Sequence, residues 1–207
     1  MRRSTSWGER LKAGPTIEAD LRLLDEYRLT FAAAYQSVID QIVALGLRPI
    51  GRHAKSTKAI IDKLRRESIR LSQIQDIAGC RVIVESIAEQ DRIVAELTRA
   101  MPKHIVLDRR ERPSHGYRAV HVVADVAGQP VEVQVRTRPQ HVWAELSEKL
   151  ADRRGSALKY GGGPPKIRQA LENFSALVSR VDNVEGKWNI EGDSMSALVE
   201  VFESLEK

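Results

Sequence analysis

Apolar residues recur every three or four positions through Ile17, Leu21, Leu24, Tyr27, Phe31, Tyr35, Val38, Ile42 and Leu45, which predicts one long amphipathic helix from Pro15 onward. Gly46 to Gly51 breaks the pattern. Ser56 is a suitable N-cap for a second helix reaching about Glu67, with Ile60, Ile61 and Leu64 as its buried stripe. GCRVIVE at 79–85 predicts a strand, 88–100 a helix and 104–107 a short strand. The polar stretch DRRERPSHG at 108–116 predicts a loop.

The alternation is clearest in the next stretch. In 117–125, Val120, Val122 and Ala124 alternate with Tyr117, Ala119, His121 and Val123; in 131–136, Val131, Val133 and Val135 alternate with Glu132, Gln134 and Arg136. The connection AGQP carries a glycine at a hairpin position, so the two strands are expected to pair antiparallel. An even-numbered loop puts the valine-rich faces together, because a one-residue slip would expose one of them. It also places Tyr117, His121, Glu132, Gln134 and Arg136 on one shared face, the open side of a sheet covered on the other.

A helix is expected over about 139–153. KYGGGPP at 159–165 predicts a loop, and Ile167, Ala170, Leu171, Phe174, Leu177, Val178 and Val181 mark another amphipathic helix. Gly186 to Gly192 is a second break, and Met195, Leu198, Val199, Phe202 and Leu205 mark a last short helix. The pattern is α+β: a mixed, largely antiparallel sheet flanked by helices. It divides into an N-terminal helical segment at 1–50, a core at 51–160 and C-terminal helices at 161–207.

At 207 residues there is room for one well-packed domain with additions. No apolar stretch approaches the roughly 20 residues of a membrane-spanning helix, and MRRSTSWGER is not followed by the apolar core of a secretory signal, so a cytoplasmic protein is expected. The single cysteine, Cys80, excludes an intramolecular disulfide and multi-cysteine metal sites. Lysine and arginine number 33 against 28 acids, a net charge of +5 that suits a nucleotide or RNA and equally an ordinary soluble surface.

Asp76, in QDIAGCRV, precedes a strand, and Glu132 lies on another. Two carboxylates on neighbouring strands could hold one Mg²⁺, which takes few protein oxygens and keeps its waters. Taken singly, each also reads as a solvated surface group. Arg52, Lys55, Lys63, Arg65 and Arg66 form a basic run that could clamp a triphosphate or form a solvated helix face. Tyr117 is placed to stack on a base or to be a half-buried strand tyrosine. His121 and Arg136 are candidate phosphate contacts. No Walker-type glycine loop, G-x-G-x-x-G or H-E-x-x-H occurs.

GRHAKSTKAIIDKL, QDIAGCRVIV, HGYRAVHVV, VEVQVRT and WAELSEKL follow the order and approximate spacing of the RelA/SpoT-type alarmone synthetase domain over about 51–160, and the chain resembles the small alarmone synthetases. The resemblance implies a nucleotidyltransferase-like fold and transfer of the β,γ-pyrophosphate of ATP to the ribose 3′-hydroxyl of GDP or GTP. By motif, Asp76 resembles the family's Mg²⁺-binding aspartate. Glu132 resembles the second acid, which helps hold metal and draws the proton from the attacking hydroxyl. Arg52, Lys55 and Lys63 resemble the ATP phosphate clamp, and Arg81 a further active-site arginine. Tyr117 resembles the tyrosine that stacks on guanine and His121 an acceptor-side contact, with Gln134 and Arg136 accompanying Glu132. The resemblance also implies a homo-oligomer, with a tetramer favoured. The chain contains no His-Asp dipeptide, so the hydrolase activity of related proteins is not expected.

Two features depart from the family pattern. His53 and Ala54 make two residues between Arg52 and Lys55 where the family has one. The acceptor loop, which in many members resembles K-D-Y-I-x-x-P-K-x-N-G-Y, is DRRERPSHGY here, with His115 before Gly116 and no lysine after Pro113. Arg109, Arg110 and Arg112 are candidates to stand in for that lysine. This loop motivates a second reading, a toxin-like pyrophosphokinase acting on adenine nucleotides or the tRNA 3′ end. A third is a catalytically silent nucleotide- or RNA-binding regulator, against which the retained Asp76 and Glu132 argue.

Overall fold

The computed structural model describes residues 4–52, 54–183 and 199. Seven helices and five strands are formed among them, in the order α1 (Ser4–Ala13), α2 (Glu18–Leu29), α3 (Ala32–Ala44), β1 (Ile50–Arg52), α4 (Thr57–Glu67), β2 (Ala78–Val84), α5 (Ile87–Ala100), β3 (His104–Asp108), β4 (Val120–Val126), β5 (Gln129–Thr137), α6 (Arg138–Arg154) and α7 (Pro165–Asp182). The strands form one sheet in the order β1-β2-β5-β4-β3, with β1 antiparallel to β2. This is the α+β class, with the largely antiparallel sheet, expected from the sequence. The last predicted helix lies outside the described residues, apart from Val199, which is buried.

The long N-terminal helix is instead two helices. The chain tightens at Thr30 and Phe31, where Phe31 N–H donates to Arg28 O at 3.0 Å and the Thr30 hydroxyl donates to Tyr27 O at 2.7 Å. A β-branched residue whose hydroxyl competes for a helix carbonyl is a poor choice for a helix interior. Phe31 is fully buried at this junction.

The hairpin of β4 and β5 turns on Ala127 (φ 53°) and Gly128 (φ 83°) alone, shorter than the expected four-residue connection. Positive φ at both central positions is the type I′ geometry that matches strand twist. Gly128 N–H is also held by the Asp125 carboxylate at 2.8 Å. A two-residue turn sets Val122 opposite Val133 and Val123 opposite Glu132, so the valine faces coincide as expected. On β5, Val131 and Val133 are buried while Glu132 and Gln134 are half-buried. The open upper side fails on β4, where Val120 to Ala124 are all buried. β4 lies between β5 and β3, and both of its faces are covered over that stretch.

The chain forms two compact units. The first comprises Met1–Val82, Glu96–Ile105 and Val122–Gln134. In it α1 packs on α2 and α4, and Leu11, Leu24, Phe31, Ile60, Leu64 and Ile77 are buried. The second comprises Ile83–Ala95, Val106–His121 and Val135–Lys207. Its core lies along α6 and α7, with Trp143, Leu146, Leu150, Leu158, Ile167, Leu171 and Val178 buried together.

Candidate functional site

In the first unit, local signals place two lysines around one carboxylate. Ser56 caps α4 by accepting from Ala59 N–H at 3.3 Å, as its sequence position predicts. The preceding residue, Lys55, ties its N–H to Ile77 O at 2.7 Å, which fixes the start of α4 to the segment entering β2. Lys63 lies farther along the same helix. Its Nζ donates to Asp76 Oδ1 at 2.9 Å, and Lys55 Nζ donates to Asp76 Oδ2. Burial alone would push the Asp76 carboxyl up. The two ammonium groups outweigh it and bring the carboxyl down to about 2, so Asp76 is ionised at any physiological pH.

Two members of the expected basic run, Arg65 and Arg66, are employed elsewhere. Arg65 donates to Lys12 O at 3.3 Å and to Gly14 O at 3.0 Å, fastening the end of α1, and Arg66 pairs with Glu67 at 2.8 Å. Arg52 ends β1, paired with Gly79 of β2. Arg81 is half-buried on β2, between buried Cys80 and Val82.

Glu132 lies on β5, which neighbours β2 in the sheet. Gln134 Nε2 donates to Glu132 Oε2 at 2.5 Å. The strands approach closely here: a Cβ on Gly79 would lie 2.7 Å from the Glu132 carbonyl oxygen. Burial, reinforced by the Glu132 charge, pushes the Cys80 thiol up to about 12, which leaves it unreactive. Among the described residues no group of three or more histidines, cysteines and carboxylates could cage a metal. The donors present, an ionised aspartate and a half-buried glutamate, fit a hard cation such as Mg²⁺, which is commonly bound through one or two carboxylates plus substrate phosphates.

In the second unit, Tyr117, His121 and Arg136 come together. Tyr117 does not lie on β4; it closes a turn ahead of it. His115 (φ 50°) and Gly116 (φ 88°) are the turn's central residues, and Ser114 and Tyr117 exchange backbone hydrogen bonds of 2.9 and 3.2 Å. This is a second type I′ turn, and it explains why histidine is tolerated before the glycine: His is among the few residues enriched at positive φ. Arg136 Nη2 donates to the Tyr117 hydroxyl at 3.0 Å, and that hydroxyl lies 2.9 Å from His121 Nε2. Gln134, grouped with these residues on the sequence, belongs to the first unit with Glu132.

Sequence reasoning missed a buried polar network in the second unit. Gln90 Nε2 donates to Val135 O at 2.7 Å and to Gln140 Oε1 at 2.9 Å, and the Asp182 carboxylate accepts from Thr137 Oγ1 at 2.7 Å and Gln140 Nε2 at 2.9 Å. Thr137 and Gln140 also form a capping box for α6, and Thr-x-x-Gln was the one signal that could have flagged it. Asp182, Gln140, Arg118 and Arg110 line a cavity of about 640 Å³. Arg110 is held by Asp108 and Asp91, each at 2.6 Å, which anchors the loop.

Three kinds of likeness bear on this geometry. The family described as "Region found in RelA / SpoT proteins" matches residues 51–154. An uncharacterized protein of Mycobacterium tuberculosis is 37% identical over 118 residues, 55% of this chain and 43% of its own length. A probable GTP diphosphokinase of Oryza sativa subsp. japonica, a chloroplast protein, is 36% identical over 100 residues, 46% of this chain and 14% of its own length. The chain thus spans less than half the length of these curated relatives. The fold is similar to that of small alarmone synthetase 2 from Bacillus subtilis, with a TM-score of 0.62 at 22% identity, covering 77% of this chain and 94% of the other. It is also similar to small alarmone synthetase 1 from the same organism, solved with its product pppGpp, with a TM-score of 0.60 at 22% identity over 88% of this chain and all of the other. The matched region opens at Gly51, beside Arg52, and closes at the end of α6, taking in Lys55, Lys63, Asp76, Arg81, Tyr117, His121, Glu132, Gln134 and Arg136; on that match the chain belongs to the RelA/SpoT family.

Proposed function

We propose that the chain is a pyrophosphokinase that moves the β,γ-pyrophosphate of ATP to the ribose 3′-hydroxyl of GDP or GTP, giving ppGpp or pppGpp. The observation that carries the reading is the convergence of Lys55 and Lys63 on an ionised Asp76. A cationic pair of this kind suits the donor's phosphates, with a carboxylate between them suited to the accompanying Mg²⁺. Asp76 and Glu132 would hold that ion, which when bound neutralises charge on the phosphate oxygens.

The chain's own residues have the remaining tasks. Glu132 accepts the proton of the 3′-hydroxyl. The hydroxyl oxygen bonds to the β-phosphorus, the bond from that phosphorus to the oxygen of the α-phosphate breaks, and AMP leaves. Lys55, Lys63, Arg52 and Arg81 stabilise charge on the transferring group, and Tyr117, with His121, Gln134 and Arg136, holds the acceptor. In-line placement of the two nucleotides and fixed cations at the phosphates supply most of the acceleration in such transfers.

Self-association is part of the same reading. Ile17, Leu29 and Val43, in the N-terminal helical segment, are 52%, 64% and 56% exposed, and light scattering is expected to give a mass above that of one chain. The activity is tested by incubating the purified protein with Mg²⁺, labelled ATP and, separately, GDP, GTP, GMP, ATP and tRNA. Label in GDP or GTP supports the proposal. Label in tRNA or an adenine nucleotide alone supports the toxin-like reading that the altered acceptor loop favours. Nucleotide binding without transfer supports the silent regulator.

A further inference from the structure

We infer that Ser175, on α7 and outside the matched family region, is a positioning residue for the nucleotide acceptor. The inference rests on the proposed role of Tyr117 as the residue that stacks on the acceptor base. Ser175 is 2% exposed, and its hydroxyl is shared by two groups of the acceptor segment. It donates to Gly116 O at 2.6 Å and accepts from Arg118 Nε at 3.1 Å. Gly116 and Arg118 flank Tyr117 on either side in sequence, so one hydroxyl on α7 grips the chain just before and just after the ring.

The surroundings explain why this grip decides the ring's position. Gly116 sits at φ 88°, and a Cβ there would lie 2.6 Å from Trp143 Cζ2 and 3.3 Å from Ser175 Cβ, so the turn is pressed against α6 and α7. Trp143 is itself fixed, with its indole N–H donating to Leu171 O at 2.8 Å. His115, the other central residue, packs against Gly161, where any Cβ would collide with its ring. At the far end of the side chain, Arg136 and His121 hold the phenolic oxygen. Backbone and hydroxyl are therefore tethered independently, with the Ser175 hydroxyl donating to the turn's central backbone. Without it, the buried Gly116 carbonyl loses that donor, and a turn with positive φ at both central positions is free to relax. A shift of a fraction of an ångström at a stacking platform is costly for a reaction that requires in-line approach.

The test uses the full chain and three proteins: wild type, Ser175→Ala and Ser175→Thr. Steady-state kinetics with each nucleotide varied are combined with calorimetric binding of GDP and of a non-hydrolysable ATP analogue, and with thermal melting. Ser175→Ala is expected to raise the acceptor KM and the GDP Kd about tenfold, with donor KM and analogue binding within about twofold. Ser175→Thr, which keeps the hydroxyl, is expected to restore acceptor binding. Unchanged acceptor KM in a folded Ser175→Ala protein overturns the inference. So does an equal loss for donor and acceptor that follows the melting temperature and is not rescued by threonine, since that is a purely structural role. If wild type uses tRNA or an adenine nucleotide as acceptor, the guanine reading falls and Ser175 is judged on the KM for that acceptor. If wild type binds no nucleotide, both fall.

Discussion

The Arg136 guanidinium carbon lies 5.1 Å from the centre of the Tyr117 ring while its Nη2 donates to the Tyr117 hydroxyl at 3.0 Å. Arg136 is 3% exposed, so this cation is withdrawn from water and serves the tyrosine by cation–π attraction and by hydrogen bonding. The arrangement orders the Tyr117 side chain, which the proposed function assigns to the acceptor. Two substitutions separate the ring from its tether. Tyr117→Ala removes the platform, and base stacking worth about 1–3 kcal/mol predicts an acceptor KM raised roughly 5- to 150-fold. Tyr117→Phe keeps the ring and loses the tether, for a rise of about three- to tenfold. Donor KM is the internal control in both and is expected to stay constant.

Glu132 is half-buried and its carboxylate accepts from Gln134 Nε2 at 2.5 Å, which orients it. In Glu132→Gln the shape is kept and the base is lost. Turnover is expected to fall by about 10²–10⁴-fold, the usual range for a general base, while calorimetry still detects nucleotide binding. Unchanged turnover removes Glu132 from the chemistry.

Asp76, whose carboxylate is held by Lys55 and Lys63, contributes to stability. Its carboxyl is lowered from 3.8 to about 2 in the folded chain, so the folded state binds its proton less readily than the unfolded state does. The contribution is about 2 kcal/mol, fully present above the unfolded pKa and lost as pH falls through the folded one. Urea unfolding of wild type and Asp76→Asn is expected to show a stability difference that shrinks between about pH 4 and pH 2. A difference independent of pH across that window shows that the lysine pair does not hold an ionised Asp76.

Gly51 is pressed against the Tyr35 hydroxyl, which occupies the space of any Cβ there, and it pairs with Cys80 of β2. Gly51→Ala is expected to cost about 1–3 kcal/mol by overpacking, measured by urea unfolding. Adding Tyr35→Phe removes the colliding oxygen and is expected to recover part of that loss, a non-additivity confined to residues in contact.

Much of this architecture was legible in the residues because it depends on local periodicity. The Ser56 cap and the stripe of Ile60, Ile61 and Leu64 mark α4, and the valine alternation marks the hairpin. The break between α2 and α3 escaped because apolar spacing runs unbroken through Thr30 and Phe31, while the hydroxyl contact to Tyr27 O is invisible to periodicity. β1 escaped because three residues including a glycine carry no pattern. Alternation extends back to Tyr117 and predicts a strand there, whereas the positive φ of His115 and Gly116 puts it in a turn. On the site, motif order identified Lys55, Lys63 and Asp76, which the fold does bring together. It could not reveal Ser175 or Asp182, because their partners lie 42 to 59 positions away and no repeat or spacing connects them.

The central claim is pyrophosphate transfer to a ribose 3′-oxygen, and the product's connectivity tests it most directly. Phosphorus NMR of the reaction of purified protein with Mg²⁺, ATP and GDP is expected to show AMP together with a guanine nucleotide whose new diphosphate couples to the ribose 3′ proton. A spectrum in which GDP persists unmodified while ATP is unchanged, or is hydrolysed without any 3′-linked diphosphate, contradicts the account.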